Sequence, residues 1–287
     1  MRARTIVLVI AWVLALVVGS LAFDQEPKSH WVKYDSGKVR YYDIGNHRSK
    51  NVLFFIHGWA GVADFWKESY AAFPNYRVIV IDLPGHGQSD KPKTTYSMEY
   101  FARSIEAVMK AAKVEKAVLV GHSMGTPVAR QFYRLFPEQT IGLVIVDGPL
   151  RPFGPKEQME QFLGPMRANY KENGTKMIDG LLRPIKDDAL KKSIRDAMLL
   201  TPDHVAISAM YGMADDAIWT VDQVKVPVLA VMAADGPWPP DTKDFYKTIA
   251  PNLEYVVIQD VSHFLFMEKP KQFNEDVASF IAKNKLL

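Results

Sequence analysis

The chain of 287 residues contains no cysteine. That absence excludes disulfides, a thiol nucleophile, thiolate metal sites and a lipid-attachment cysteine. Stability must then come from a hydrophobic core, which a chain of this length can bury. Blocks of like charge are also missing. The net charge is +3, and 35 basic residues less Arg2 and Arg4 leave 33 against 32 acidic ones. Without a basic block or an aromatic–basic stripe, a nucleic-acid partner is not expected. There is no internal repeat and no low-complexity tract, and no His/Asp/Glu group has ligand spacing, so no metal is expected. What is present is ordinary for a globular protein: 48% hydrophobic and 23% charged residues, enough for one large core or a core with a small accessory unit.

The N-terminus stands apart. Arg2 and Arg4 precede an uncharged apolar stretch from Thr5 to Phe23, and Ser20-Leu21-Ala22 puts small residues where a cut after Ala22 requires them. A basic segment, an apolar segment and a small-x-small site describe a secretory signal over 1–22, hence export to a periplasmic or extracellular space. The runner-up is an uncleaved membrane anchor, since the stretch is nearly long enough to span a bilayer. Membrane contact is expected only if this segment is retained.

Beyond the leader, Trp31–Tyr34 and Val39–Ile44 read as an antiparallel hairpin around Asp35-Ser36-Gly37. Continuous apolar runs follow at 52–56, 78–81, 117–120, 143–146, 228–232 and 255–258, as expected of strands covered on both faces. Helical patterns lie between them at 64–72, 98–112, 124–136 and 271–283. Eight strands alternating with helices imply an α/β fold with a mostly parallel sheet flanked on both sides. One interval breaks the alternation. From 149 to 222 no strand is evident, only helical segments near 156–170, 187–200 and 202–213, which read as a cap inserted after the sixth strand, over the strand ends where such sheets bind ligands. The expected organisation is core over 23–148, helical cap over 149–222, and core again over 223–287.

The chemistry centres on Gly121-His122-Ser123-Met124-Gly125, which sits between the strand Ala117–Val120 and a helix. A sharp strand-to-helix turn leaves no room for side chains at its flanks and lifts Ser123 Oγ out at the top of the sheet. A serine hydroxyl needs a base, and the base needs a group to orient it. In the chain order that accompanies such an elbow, an acid and then a late histidine follow the serine. Asp235, just past the strand Val228–Met232, and His263, just past Tyr255–Ile258, fit that order and that sheet edge. Oxyanion donors are expected from the backbone N–H of Met124 and from that of Trp59, in the loop His57-Gly58-Trp59. His57 reads as a brace for that loop, His122 as packing, and His204 as a surface residue. Asp82, His86 and Ser89 read as parts of one turn.

With Asp82-Leu83-Pro84-Gly85-His86-Gly87-Gln88-Ser89 and Ser262-His263-Phe264 added to these motifs, the chain resembles the α/β-hydrolase family, in its single-cap serine esterase-like branch, from about Trp31 to Lys283. The resemblance implies a serine hydrolase that cleaves small to medium carboxylic esters through an acyl-enzyme and needs no cofactor. Lactone opening, carbon–carbon bond hydrolysis and perhydrolysis use the same three residues and stay open. So does a non-catalytic ligand-binding or interaction role on the same scaffold. Two departures are visible. In the family a glycine usually stands two or three residues before the acid; here Ala233-Ala234 stand there and the spacing is one residue short. Some members take the acid from the end of the preceding strand, which makes Asp147, in Val146-Asp147-Gly148, the alternative to Asp235. His-Gly-Trp in place of a triple-glycine oxyanion loop points away from the lipase branch. Trp59, Phe153, Phe162, Met213, Trp219 and Phe264 are candidates to line the substrate pocket.

Overall fold

The computed structural model describes residues 27–287; the leader expected over 1–22 lies outside them. A hairpin, then alternating strands and helices, build one eight-stranded sheet. The chain begins with β1 (Ser29–Tyr34) and β2 (Gly37–Gly45), joined at Asp35, which takes a left-handed φ of 49°. Next come β3 (Asn51–Ile56), a 3₁₀ turn at Ala63–Trp66, α1 (Lys67–Tyr70), β4 (Arg77–Ile81) and α2 (Met98–Ala111). They are followed by β5 (Lys116–His122), α3 (Gly125–Leu135) and β6 (Thr140–Val146). Four helices separate β6 from β7: α4 (Lys156–Ala168), α5 (Tyr170–Leu182), α6 (Asp188–Met198) and α7 (Asp203–Met213). The chain closes with β7 (Val228–Ala233), α8 (Thr242–Ile249), β8 (Leu253–Ile258), α9 (Leu265–Glu268) and α10 (Pro270–Asn284).

The strand order is β1-β2-β4-β3-β5-β6-β7-β8, antiparallel over the first three and parallel from β4 onward. The apolar runs explain this arrangement. Val52–Ile56, Val78–Ile81 and Ala117–Val120 are buried on both faces, so each needs helices above and below. The connections of β3 leave for β4 on one side, while β5 lies on the other. A crevice therefore opens beyond the carboxyl ends of β3 and β5, which is where open α/β sheets bind ligands.

Besides the single turn α9, two helices were not evident from sequence. The stretch forming α5 contains Asn173, Gly174 and Gly180, which weaken a helical reading. It holds together because Asn169 caps it and Ile178 and Leu182 bury its inner face. The other is α8, which follows Pro239-Pro240. Among the described residues no helix is long and apolar enough to cross a membrane.

Ion pairs fix two junctions. Arg40 on β2 reaches Asp82 just past β4 at 2.8 Å, with both side chains buried. Asp82 also accepts from the N–H of Ala63 and of Gln88, so one carboxylate gathers the turn the sequence marked. On α3, Arg130 reaches Leu150 O and Asp222, and Arg134 reaches Ile218 O, Thr220 O and Asp222. Both ends of the inserted helices are thereby tied to one helix. Arg40→Met would leave the buried Asp82 charge unpaired. A loss of about 3–5 kcal/mol is expected, read as a lower urea midpoint at constant m-value.

Candidate active site

Ser123 occupies the step between β5 and α3 with φ +52°, a left-handed conformation that costs a non-glycine residue free energy. The surrounding backbone over-determines it. Ser123 N–H donates to Val146 O at 3.0 Å, and Thr126 N–H donates to Ser123 O at 2.9 Å. The flanking glycines are dictated by approach: a Cβ on Gly121 would lie 2.3 Å from Gly125 O, and one on Gly125 would lie 2.6 Å from Ile56 O. The strain and the tight contacts raise the serine to the edge of a cavity.

His263 lies in the loop between β8 and α9. Its Nδ1 meets Asp147 Oδ2 at 2.7 Å. A carboxylate only accepts, so Nδ1 carries a proton, and in the neutral ring Nε2 is the nitrogen with the free lone pair. The loop itself is braced. His122 Nε2–H donates to His263 O at 2.8 Å, Ser262 N–H donates to Glu268 Oε1 at 2.7 Å, and Phe264 N–H donates to Ser262 Oγ. Ser123 and His263 line the same cavity.

The acid beside the histidine is thus Asp147, not Asp235. Asp147 ends β6 with φ +42° and is fully buried. Its N–H donates to Val231 O, which fastens it to β7. Asp235 falls at the tip of a turn that reverses straight after β7, where Gly236 N–H closes on Ala233 O. That short turn leaves Asp235 exposed at the cavity rim, while Asp147 already fills the place behind His263. The missing residue in the Ala233-Ala234 loop was the signal for this outcome.

Of the residues expected to supply oxyanion donors, Trp59 lines the same cavity as Ser123 and Met124 follows the serine in the chain. Among the described residues, neither the N–H of Trp59 nor that of Met124 has a backbone acceptor. The Trp59 loop is held by His57, whose Nδ1–H donates to Gly58 O at 2.8 Å while Nε2 accepts from Leu83 N–H at 3.0 Å. The Trp59 indole donates to Ala206 O on α7, linking this loop to the inserted helices.

The cavity is about 730 Å³. Trp59, Phe153, Phe162, Met213 and Phe264 line it, as expected from sequence. Trp219 does not. Its indole turns back to donate to Met213 O at 2.9 Å, and the ring is buried. Sequence reasoning missed Met159, Met177, Met198 and Met210, which with Met213 make a flexible thioether wall contributed by α4–α7. It also missed Trp238, whose indole donates to Asp147 Oδ1 at 2.6 Å alongside Ala233 N–H at 3.0 Å. The only sequence signal was an aromatic residue set among prolines, Gly236-Pro237-Trp238-Pro239-Pro240.

Three histidines in this region are buried and held neutral. Burial pulls His57 down to about 4 and His86 to about 3, and it lowers His122 well below the ordinary value, with His263 nearby adding to the effect.

Comparison with known proteins agrees with this fold. A family model described as the alpha/beta hydrolase fold matches residues 51–184. The chain is 29% identical to a 2-hydroxy-6-oxononadienedioate/2-hydroxy-6-oxononatrienedioate hydrolase of Paraburkholderia phymatum, an alignment covering 86% of this chain and 91% of the relative. Among solved structures it is similar to a thermophilic esterase from Thermogutta terrifontis, with TM-score 0.75 and 23% identity over 90% of this chain and 99% of that one. It is also similar to an enzyme described as degrading N-acyl homoserine lactones, with TM-score 0.73 and 27% identity over 88% and 100%.

The buried histidines make stability depend on pH with a definite sign. Each binds a proton in the unfolded chain near its ordinary 6.5 and not in the folded one until far lower pH. Stability is therefore full above about pH 6.5 and is lost as pH falls toward 4, by at most about 1.4 kcal/mol per pH unit for each histidine. Urea midpoints measured from pH 7 to pH 5 should fall, and His86→Gln should flatten the decline.

Proposed function

We propose that this chain, which fits the α/β-hydrolase family, is a serine hydrolase acting on small to medium carboxylic esters with apolar acyl groups. The observation that carries this reading is His263, backed by Asp147, in the wall of the cavity at whose edge the strained Ser123 stands. In this reading Ser123 Oγ attacks the ester carbonyl carbon while His263 Nε2 takes its proton. Asp147 keeps Nε2 turned toward the cavity and offsets the charge of the imidazolium. The N–H groups of Met124 and Trp59 receive the oxyanion. His263 then protonates the departing alcohol, and water cleaves the acyl-enzyme by the same route.

The cavity lining supports a neutral, apolar substrate. The dioate named for the Paraburkholderia relative carries two carboxylates. Here three carboxylates, Asp235, Asp260 and Glu268, border the cavity against one ammonium, Lys186. That balance disfavours a dianion. The methionine wall suits acyl chains of varied shape. Opening of an apolar lactone is the second reading. It is consistent with the likeness to a lactone-degrading enzyme and needs no residue beyond those named.

A fluorophosphonate probe should label Ser123 stoichiometrically, and failure to label folded protein would refute the hydrolase reading. Against p-nitrophenyl esters of graded acyl length, Asp147→Asn should lower kcat by about three to four orders of magnitude. Asp235→Asn should stay within about twofold of the parent protein. The opposite ranking would return the role of acid to Asp235. We further propose export, on the strength of the leader read over 1–22. The mature N-terminus should then be Phe23, and an intact Met1 on exported protein would count for an anchor.

A further inference from the structure

The loop after β7 does not supply the acid, yet it does not stand aside. Two donors reach Asp147 from this side, the backbone N–H of Ala233 at the end of β7 and the indole N–H of Trp238 in the loop. Both reach Oδ1, and His263 takes Oδ2. We propose that Trp238 is a positioning residue for the hydrolase reaction, its indole N–H holding the Asp147 carboxylate so that Oδ2 faces His263. The inference rests on the hydrolase reading above.

Several features indicate a built contact. A carboxylate at the end of a strand can rotate about its Cβ–Cγ bond; two donors on Oδ1 and a third on Oδ2 hold one orientation. The indole contact, at 2.6 Å, is the shorter of the two. Pro237 and Pro239 fix φ on both sides of Trp238, so the ring is placed by a stiff segment. Gly236 clears its path, because a Cβ there would lie 2.6 Å from Trp238 Cδ1. On the cavity side the indole stacks with Phe153, centroids 6.1 Å apart and planes at 27°. Trp238 and Phe153 both line the cavity, so the group that aims the acid is also part of the wall a substrate meets.

The hydrogen bond also tempers the carboxylate. An N–H on Oδ1 draws charge away from Oδ2. Without it, Asp147 holds a proton on His263 more strongly, and a more alkaline solution is needed to free the base. Other titratable groups face the pair. The His122 ring lies 4.6 Å from that of His263 and stays neutral. Tyr246 and Tyr255 face Asp147, with their hydroxyls kept protonated by burial. Asp260 and Glu268 share the cavity. None of them donates to Oδ1.

The test measures the second-order rate of fluorophosphonate labelling against pH. It uses the parent protein, Trp238→Phe, and protein carrying 3-benzothienylalanine at position 238, which keeps the two-ring shape and lacks the N–H. Labelling of the parent at Ser123 checks the hydrolase reading independently. Both replacements should still label Ser123. At neutral pH the rate should fall roughly three- to tenfold, and the acidic limb should move to higher pH by about half a unit or more. Gly236→Ala, which displaces an unaltered indole, should move the limb in the same direction. If the benzothienyl protein keeps the parent's rate and limb, the indole is only packing and the inference fails. If the parent does not label, it is the hydrolase reading that fails.

Discussion

The carboxylate of Asp147 is the constraint on which the rest of the site depends. It is a fully buried charge at the end of β6, held by groups from the end of β7, from the turn beyond β7 and from the loop after β8. An ionised carboxylate out of water is costly unless its lone pairs are met. Three donors meet them, two from the end of β7 and the turn beyond it and one from the loop after β8. Satisfying this one group therefore assembles the three loops at the sheet's carboxyl edge. The histidine that results has a defined tautomer, because a carboxylate behind Nδ1 leaves Nε2 as the acceptor.

Strain adds a second layer. Ser123 and Asp147 both sit at positive φ, on adjacent parallel strands. Each is locked by the neighbouring strand: Ser123 N–H to Val146 O on β6, and Asp147 N–H to Val231 O on β7. The two left-handed residues occupy equivalent steps where the chain leaves the sheet. Local backbone cost is offset by the sheet that surrounds it, which is how such conformations persist at reacting centres.

Much of this was legible in the chain itself. Continuous apolar runs mark the strands because a parallel sheet buried on both faces leaves no alternation to read. The elbow was legible because backbone crowding permits only glycine at 121 and 125. The acid was harder to read. Asp147 and Asp235 both follow a strand, and what separates them is whether the turn after β7 is long enough to return toward His263, a three-dimensional length that spacing only hints at. Trp219 was misread as pocket lining because its local pattern does not reveal that its N–H closes on Met213 O. Trp238 was passed over because its partner lies 91 residues away. Helix α5 was obscured by glycines whose cost is offset by packing, Gly174 against the ring of Tyr170.

The ties from Arg130 and Arg134 have a consequence for how such a protein diversifies. They gather Leu150, Ile218, Thr220 and Asp222, the entrance and exit of the inserted helices, onto one face of α3. Topologically the insertion is a loop whose ends are already side by side. Lengthening or exchanging such a loop adds chain-closure entropy that grows only logarithmically with length. The helix that starts just after Ser123 thus doubles as a docking socket. A lineage can trade one roof for another, and with it one diet for another, without disturbing the hearth beneath.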